Sequence, residues 1–170
     1  GDRAMPLTPQ SDVAGPYAGR GNDDAWGKTH GQILNRIMLA DFTVISDSYD
    51  RACHLSYPGG VEAHGRDAAV RFWLGVRSAF PSATFEIDHQ IGRTDPLMSP
   101  RSAIRWSLTG AHDGWGPFGR PTGAQVHVMG VSHVEFGPRG VRREVTIFDE
   151  IAIWKQILLQ TEGCADSDMR

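Results

Sequence analysis

The chain has 170 residues, 40% of them hydrophobic and 22% charged, with a formal net charge of −3. That length and balance describe one ordinary globular domain with room for a sizeable core, not a disordered chain. Nucleic acid is not an expected partner, because no Lys/Arg cluster forms the basic stripe that neutralises several phosphates. No apolar run approaches the roughly 18 residues needed to span a bilayer, and the start, Gly1-Asp2-Arg3-Ala4-Met5-Pro6, has no apolar signal region. The two cysteines, Cys53 and Cys164, lie far apart, which suits a reducing compartment and not a disulfide framework. A soluble, cytoplasmic protein with no membrane partner is expected. Gly1 in place of a methionine suggests processing, or a piece of a longer protein.

Residues 1–21 are rich in Gly, Pro, Ser, Asp and Arg without apolar periodicity, which is linker composition. Order is expected from Asn22-Asp23-Asp24, an N-cap with acidic first-turn residues. Trp26, His30, Ile33, Leu34, Ile37 and Met38 recur at helical spacing, so residues 23–40 form an amphipathic helix. A short helix over Thr43–Tyr49 and a brief strand over Cys53–Tyr57 follow, the strand closed by Pro58-Gly59-Gly60. Residues 67–80 carry the clearest helical stripe, with Ala69, Val70, Trp73, Leu74, Val76 and Phe80 on one side and Pro81 as the stop.

After Pro81 the apolar period changes from 3.6 to 2. Phe85, Ile87, His89 and Ile91 alternate with polar neighbours, as do Ile104, Trp106 and Leu108. Val126, Val128, Gly130, Ser132, Val134 and Phe136 then share one strand face. Residues 141–148 follow the tight Gly137-Pro138-Arg139-Gly140 turn. Four such strands in succession predict an antiparallel meander, and strands this long must twist and curl. Residues 151–159 read as a closing helix and 161–170 as a polar tail. The expected fold is α+β: one domain over residues 22–160, with a curved antiparallel sheet wrapped as a cone around N-terminal helices and a pocket inside.

Several pieces in this order carry a resemblance. They are Tyr49-Asp50; Gly65-Arg66-Asp67 opening a helix that ends Ala79-Phe80-Pro81; Arg105-Trp106-Ser107-Leu108-Thr109-Gly110-Ala111-His112; Pro121-Thr122-Gly123; and Phe148-Asp149-Glu150 before a final helix. Together they resemble SnoaL-like polyketide cyclases, in the cystatin-like cone superfamily with ketosteroid isomerase and scytalone dehydratase. The resemblance covers about residues 24–160. It implies a homodimer that binds a small hydrophobic molecule and uses neither metal nor organic cofactor, and it admits an origin as the C-terminal half of a tandem protein. It also implies an acid/base Asp on the last strand, with a His on the strand before. Those positions are Thr146 and Ser132 here, and a neutral hydroxyl is a poor general base at neutral pH.

Glu144 is the carboxylate left on that face, with Thr146 and Phe148, because side chains alternate along a strand. Burial would raise its pKa and suit it to proton transfer; pairing with Arg142 or Arg143 in solvent is the alternative. The apolar Val141/Val145/Ile147 face would then be the outer surface, buried in a dimer. Asp149 is a second catalytic candidate, or simply the cap of the final helix. His54 is a third, on the short first strand, with Cys53 and Leu55 as rivals for the pocket-facing position. Trp106 would floor the pocket, with Trp73 and Trp115 as further walls; Trp115 and Phe118 belong to a glycine-rich loop that suits a lid. Ser132 and Thr146 would supply hydrogen bonds. His89 reads as a core residue and His112 as a loop stabiliser. His127 and His133 are six strand residues, roughly 20 Å, apart, too far to share a metal. Two functions stay open: acid/base isomerisation, cyclisation or hydration of a small apolar carbonyl compound, or a non-catalytic binding or dimerisation domain.

Overall fold

The computed structural model describes residues 19–168. The expected linker therefore falls almost wholly outside the described residues. The elements are α1 (Ala25–Met38), α2 (Thr43–Ser48), β1 (Tyr49–Tyr57), β2 (Val61–His64), α3 (Arg66–Ala79), β3 (Thr84–Arg93), β4 (Arg101–Ala111), β5 (Gln125–Gly137), β6 (Gly140–Phe148) and α4 (Glu150–Asp168). One six-stranded sheet in the order β2-β1-β6-β5-β4-β3 curves around the helices. The meander β3 to β6 is antiparallel as expected, and β2 is an added edge strand. The sheet is nevertheless mixed, because β1 joins β6 in parallel with Leu55 opposite Glu144. Local periodicity cannot show this, since a parallel neighbour is reached only by a long connection.

Each helix forms for a legible reason. The Asp24 side chain accepts from the Trp26 N–H at 2.8 Å and caps α1, which buries His30, Ile33, Leu34, Ile37 and Met38. Buried His30 meets Ser102 at 2.9 Å, and burial lowers its pKa to about 3, so it stays neutral. α3 turns Ala69, Trp73 and Val76 inward and ends before Pro81. The last helix runs on to Asp168 instead of stopping near residue 159. Its Gln156 and Gln160 side chains exchange hydrogen bonds of 2.7–3.1 Å with the backbone of His127 and Gln125. β6 pairs with β5 only from Gly130 onward, so these glutamines occupy a strand edge that would otherwise lack partners. Among the described residues, no helix is long and apolar enough to cross a membrane.

Burial follows the expected alternation on β5, where Val126, Val128, Ser132, Val134 and Phe136 are buried while Met129 and Val131 are exposed. On β6 it holds for Glu144 and Thr146 inside and Ile147 outside. Val141 breaks it. A register shift between Glu135 and Phe136 turns Val141 into the core, away from the outer face expected for it.

Gly75 sits inside α3, where a Cβ would meet only Pro117 at 3.5 Å, an ordinary contact. Gly75→Ala is therefore expected to stabilise the protein by about 0.5–1 kcal/mol, the helix-interior difference between the two residues. Thermal unfolding of the variant checks this, and a lowered midpoint would contradict it.

Candidate functional site

Glu144 lies in the middle of β6, 1% exposed. Its carboxylate accepts three hydrogen bonds. The Tyr49 hydroxyl donates to Oε1, the Tyr57 hydroxyl to the same atom at 3.3 Å, and Thr146 Oγ1 to Oε2 at 2.7 Å. The chain continues from Thr146 to Ser132 at 2.8 Å and from Ser132 to the Trp106 indole at 3.1 Å. An indole N–H can only donate, so Trp106 occupies a Ser132 lone pair. The Ser132 hydroxyl proton is then directed to Thr146, and the Thr146 proton to Glu144. Every link donates toward the carboxylate.

Burial raises the Glu144 pKa, and the bonds from Tyr49, Thr146 and Tyr57 pull in the opposite direction. The buried Trp73 indole adds a small pull of the same sense, although its Nε1 has no partner of hydrogen-bonding geometry. Burial and the neighbouring Glu144 carboxylate push both tyrosines well above the usual phenol range, so they remain neutral donors.

A cavity of about 550 Å³ opens beside this network, lined mainly by apolar groups that include Tyr57, Phe72, Val76, Phe118, Phe148 and Trp154. Glu144 does not line it. Tyr57 belongs to both: its ring is cavity wall, stacked on Phe72 at 3.7 Å between centroids, and its hydroxyl bonds Glu144. Behind the wall, Trp106 packs among Trp73, Phe85 and Phe148 with centroids 5.9–6.3 Å apart.

The candidates separate accordingly. Glu144, Thr146, Ser132, Trp106 and Trp73 come together behind the cavity, and Phe148 lines it. Ser132 and Thr146 are links in the donor chain, which accounts for neutral side chains at those two positions. His54 is not in the pocket: its side chain is 41% exposed, pairs with Glu62 at 2.6 Å and stacks on His64. Strand alternation buries its neighbours Cys53 and Leu55 instead. Asp149 accepts from the Ala152 N–H at 3.0 Å at the start of α4, in the manner of a cap. Trp115 is 69% exposed and lines no part of the cavity; Pro117 and Phe118 of the same loop do. His112 bonds Thr122 and is buried under the loop it was expected to stabilise. His127 pairs with Thr109, and no three His, Cys, Asp or Glu side chains converge on a metal-sized site among the described residues. Tyr49 and Tyr57 were missed. Tyr57 follows Cys53 and Leu55 at the strand period, a usable signal, but its bond to Glu144 depends on the parallel β1–β6 junction.

A curved six-stranded sheet closed over helices, with an apolar pocket against a buried carboxylate, defines the α+β cone class. The sequence profile of the SnoaL-like domain matches residues 34–141, and the chain belongs to that family. Among solved structures it is similar to IdmH, a candidate polyketide cyclase from Streptomyces antibioticus. The identity is 15%, covering 79% of this chain and 99% of that one at a TM-score of 0.65. A candidate polyketide cyclase from Acidithiobacillus ferrooxidans is 16% identical, over 81% and 98% of the two chains, at a TM-score of 0.62. AclR, a candidate hydroxylase from Streptomyces galilaeus, is 19% identical, over 76% and 96%, at 0.60. No curated protein matches the sequence.

Proposed function

We propose that the chain binds a small, largely apolar carbonyl compound in the cone cavity and handles its proton through the Tyr57–Glu144 pair. The observation that carries this reading is the double position of Tyr57, in the wall of a 550 Å³ cavity and 3.3 Å from a buried carboxylate. A cavity of this size and lining suits a small organic ligand. The Tyr57 oxygen can take the proton from the α-carbon as its own proton passes to the Glu144 carboxylate, which leaves the ligand as an enolate and Glu144 neutral, and the reverse transfer returns a proton exchanged with solvent. The structural relatives with polyketide cyclase names support the same class of ligand. The second reading, binding without turnover, is favoured by a different observation: Glu144 already accepts three hydrogen bonds and does not itself line the cavity.

Deuterium uptake at the α-carbon of aromatic and polycyclic ketones, followed by NMR, separates the two readings. Exchange catalysed by the wild-type protein is expected to fall about 100-fold or more in Tyr57→Phe and in Glu144→Gln. Ketones that bind without exchange would leave the binding reading in its place. Exchange unchanged by Glu144→Gln would remove Glu144 from the chemistry.

A further inference from the structure

A second cavity, of about 450 Å³, adjoins the first and differs from it in chemistry. Its walls include Arg51 of β1, His64 of β2, and Arg66, Asp67 and Arg71 of α3. Three guanidinium groups thus face one carboxylate. Arg66 donates to the Tyr49 carbonyl at 2.7 Å and is held in place by it, while Arg51 and Arg71 are exposed to solvent. Arg66 is also the first residue of α3, next to the positive end of the helix dipole, so the local excess of positive charge is larger than the side chains alone supply. The two cavities share a wall: Ala68 and Arg71 line both. An apolar chamber and a basic chamber thus abut at one arginine.

We infer that the ligand is an anionic amphiphile, with an apolar body in the cone cavity and one oxyanion, a carboxylate or a phosphate, on Arg51 and Arg71. Guanidinium groups bind both oxyanions through paired N–H donors, so the shared chemistry is an oxyanion head. Among the described residues, the only carboxylate lining the cone cavity, Glu150 at the start of α4, does not line the basic chamber. The inference rests on the cone cavity being a binding pocket, and the test separates the two statements.

The uncharged dye N-phenyl-1-naphthylamine reports occupancy of the apolar chamber by its fluorescence, and decanol, decanoate and decyl phosphate compete with it. Decanoate or decyl phosphate is expected to displace the dye at a concentration at least about 10-fold lower than decanol, as a charge-assisted contact implies. The stronger of the two identifies the head group. Added NaCl should narrow the gap, since the arginines are exposed. Arg51→Glu, in a residue that lines only the basic chamber, is expected to abolish the anions' advantage while dye and decanol binding persist. Dye and decanol binding with no preference for either anion, or a preference that survives Arg51→Glu, would overturn the inference and leave the cone pocket standing. No dye binding at all would overturn both.

Discussion

Gly130→Ala is expected to cost about 3 kcal/mol or more, at the upper end of overpacking effects, and to lower the unfolding midpoint by roughly 10 °C. Gly130 on β5 lies opposite Trp106 on β4, and the indole lies across the space where a side chain would be. A Cβ there would come within 2.1 Å of Cζ2 and 2.4 Å of Cε2. The ring cannot retreat easily. It is fully buried, its N–H is committed to Ser132, and Trp73, Phe85 and Phe148 surround it. Because Trp106 begins the donor chain that runs through Ser132 and Thr146 to Glu144, the same substitution should disturb the candidate site. Combining Gly130→Ala with Trp106→Leu tests the cause: the double variant should lose less stability than the two single changes summed. A Gly130→Ala protein whose stability stays within about 1 kcal/mol of wild type would contradict this account of the glycine.

Glu144→Leu carries the second large effect, a loss of about 3–5 kcal/mol. The leucine accepts nothing, so the hydroxyls of Tyr49, Tyr57 and Thr146 are left buried without their common acceptor. Glu144→Gln retains one acceptor oxygen for the tyrosines and is expected to fold with a loss of about 1 kcal/mol. Wild type and Glu144→Gln also separate in pH. Burial raises the folded carboxyl above its ordinary value of 4.5, so the folded protein holds a proton that the unfolded chain has released. Stability from this group is thus largest below pH 4.5, declines as pH rises toward the folded value, and levels off above it. Glu144→Gln removes that decline. Denaturant unfolding of both proteins from about pH 4 to about pH 8 checks it. The stability of wild type minus that of the Glu144→Gln variant should fall with rising pH, and a flat or rising difference would mean the carboxyl is not raised.

The helices and the meander were legible because their causes are local. Apolar spacing marked α1 and α3, Pro81 stopped α3, and alternation on β5 and β6 placed Ser132, Glu144 and Thr146 on the inner face. Glu144 was legible as the one carboxylate on that face. The errors share a different cause. His54 was a one-position ambiguity on a strand whose inner side is Cys53, Leu55 and Tyr57; alternation turns it to the outer side, where it pairs with Glu62 across the β1–β2 hairpin. Trp115 was placed by the company it keeps in a glycine-rich loop, yet Pro117 and Phe118 are the loop residues that reach the cavity. Val141 was misplaced by a bulge that periodicity cannot register.

The amino-acid sequence by itself determined the α+β class and, Val141 apart, the inward and outward faces of the long strands, which put the Glu144 carboxylate inside, since each follows from patterns within single elements. Only the tertiary structure decided what that carboxylate meets. The parallel junction of β1 with β6 brings Tyr49 and Tyr57, 95 and 87 residues away in the chain, onto Glu144. The packing of α3 against β1 sets Arg51 beside Arg66 and Arg71. Hydrogen bonds and charge clusters of this kind act through space between remote elements, and nothing in the local pattern of either element specifies its partner.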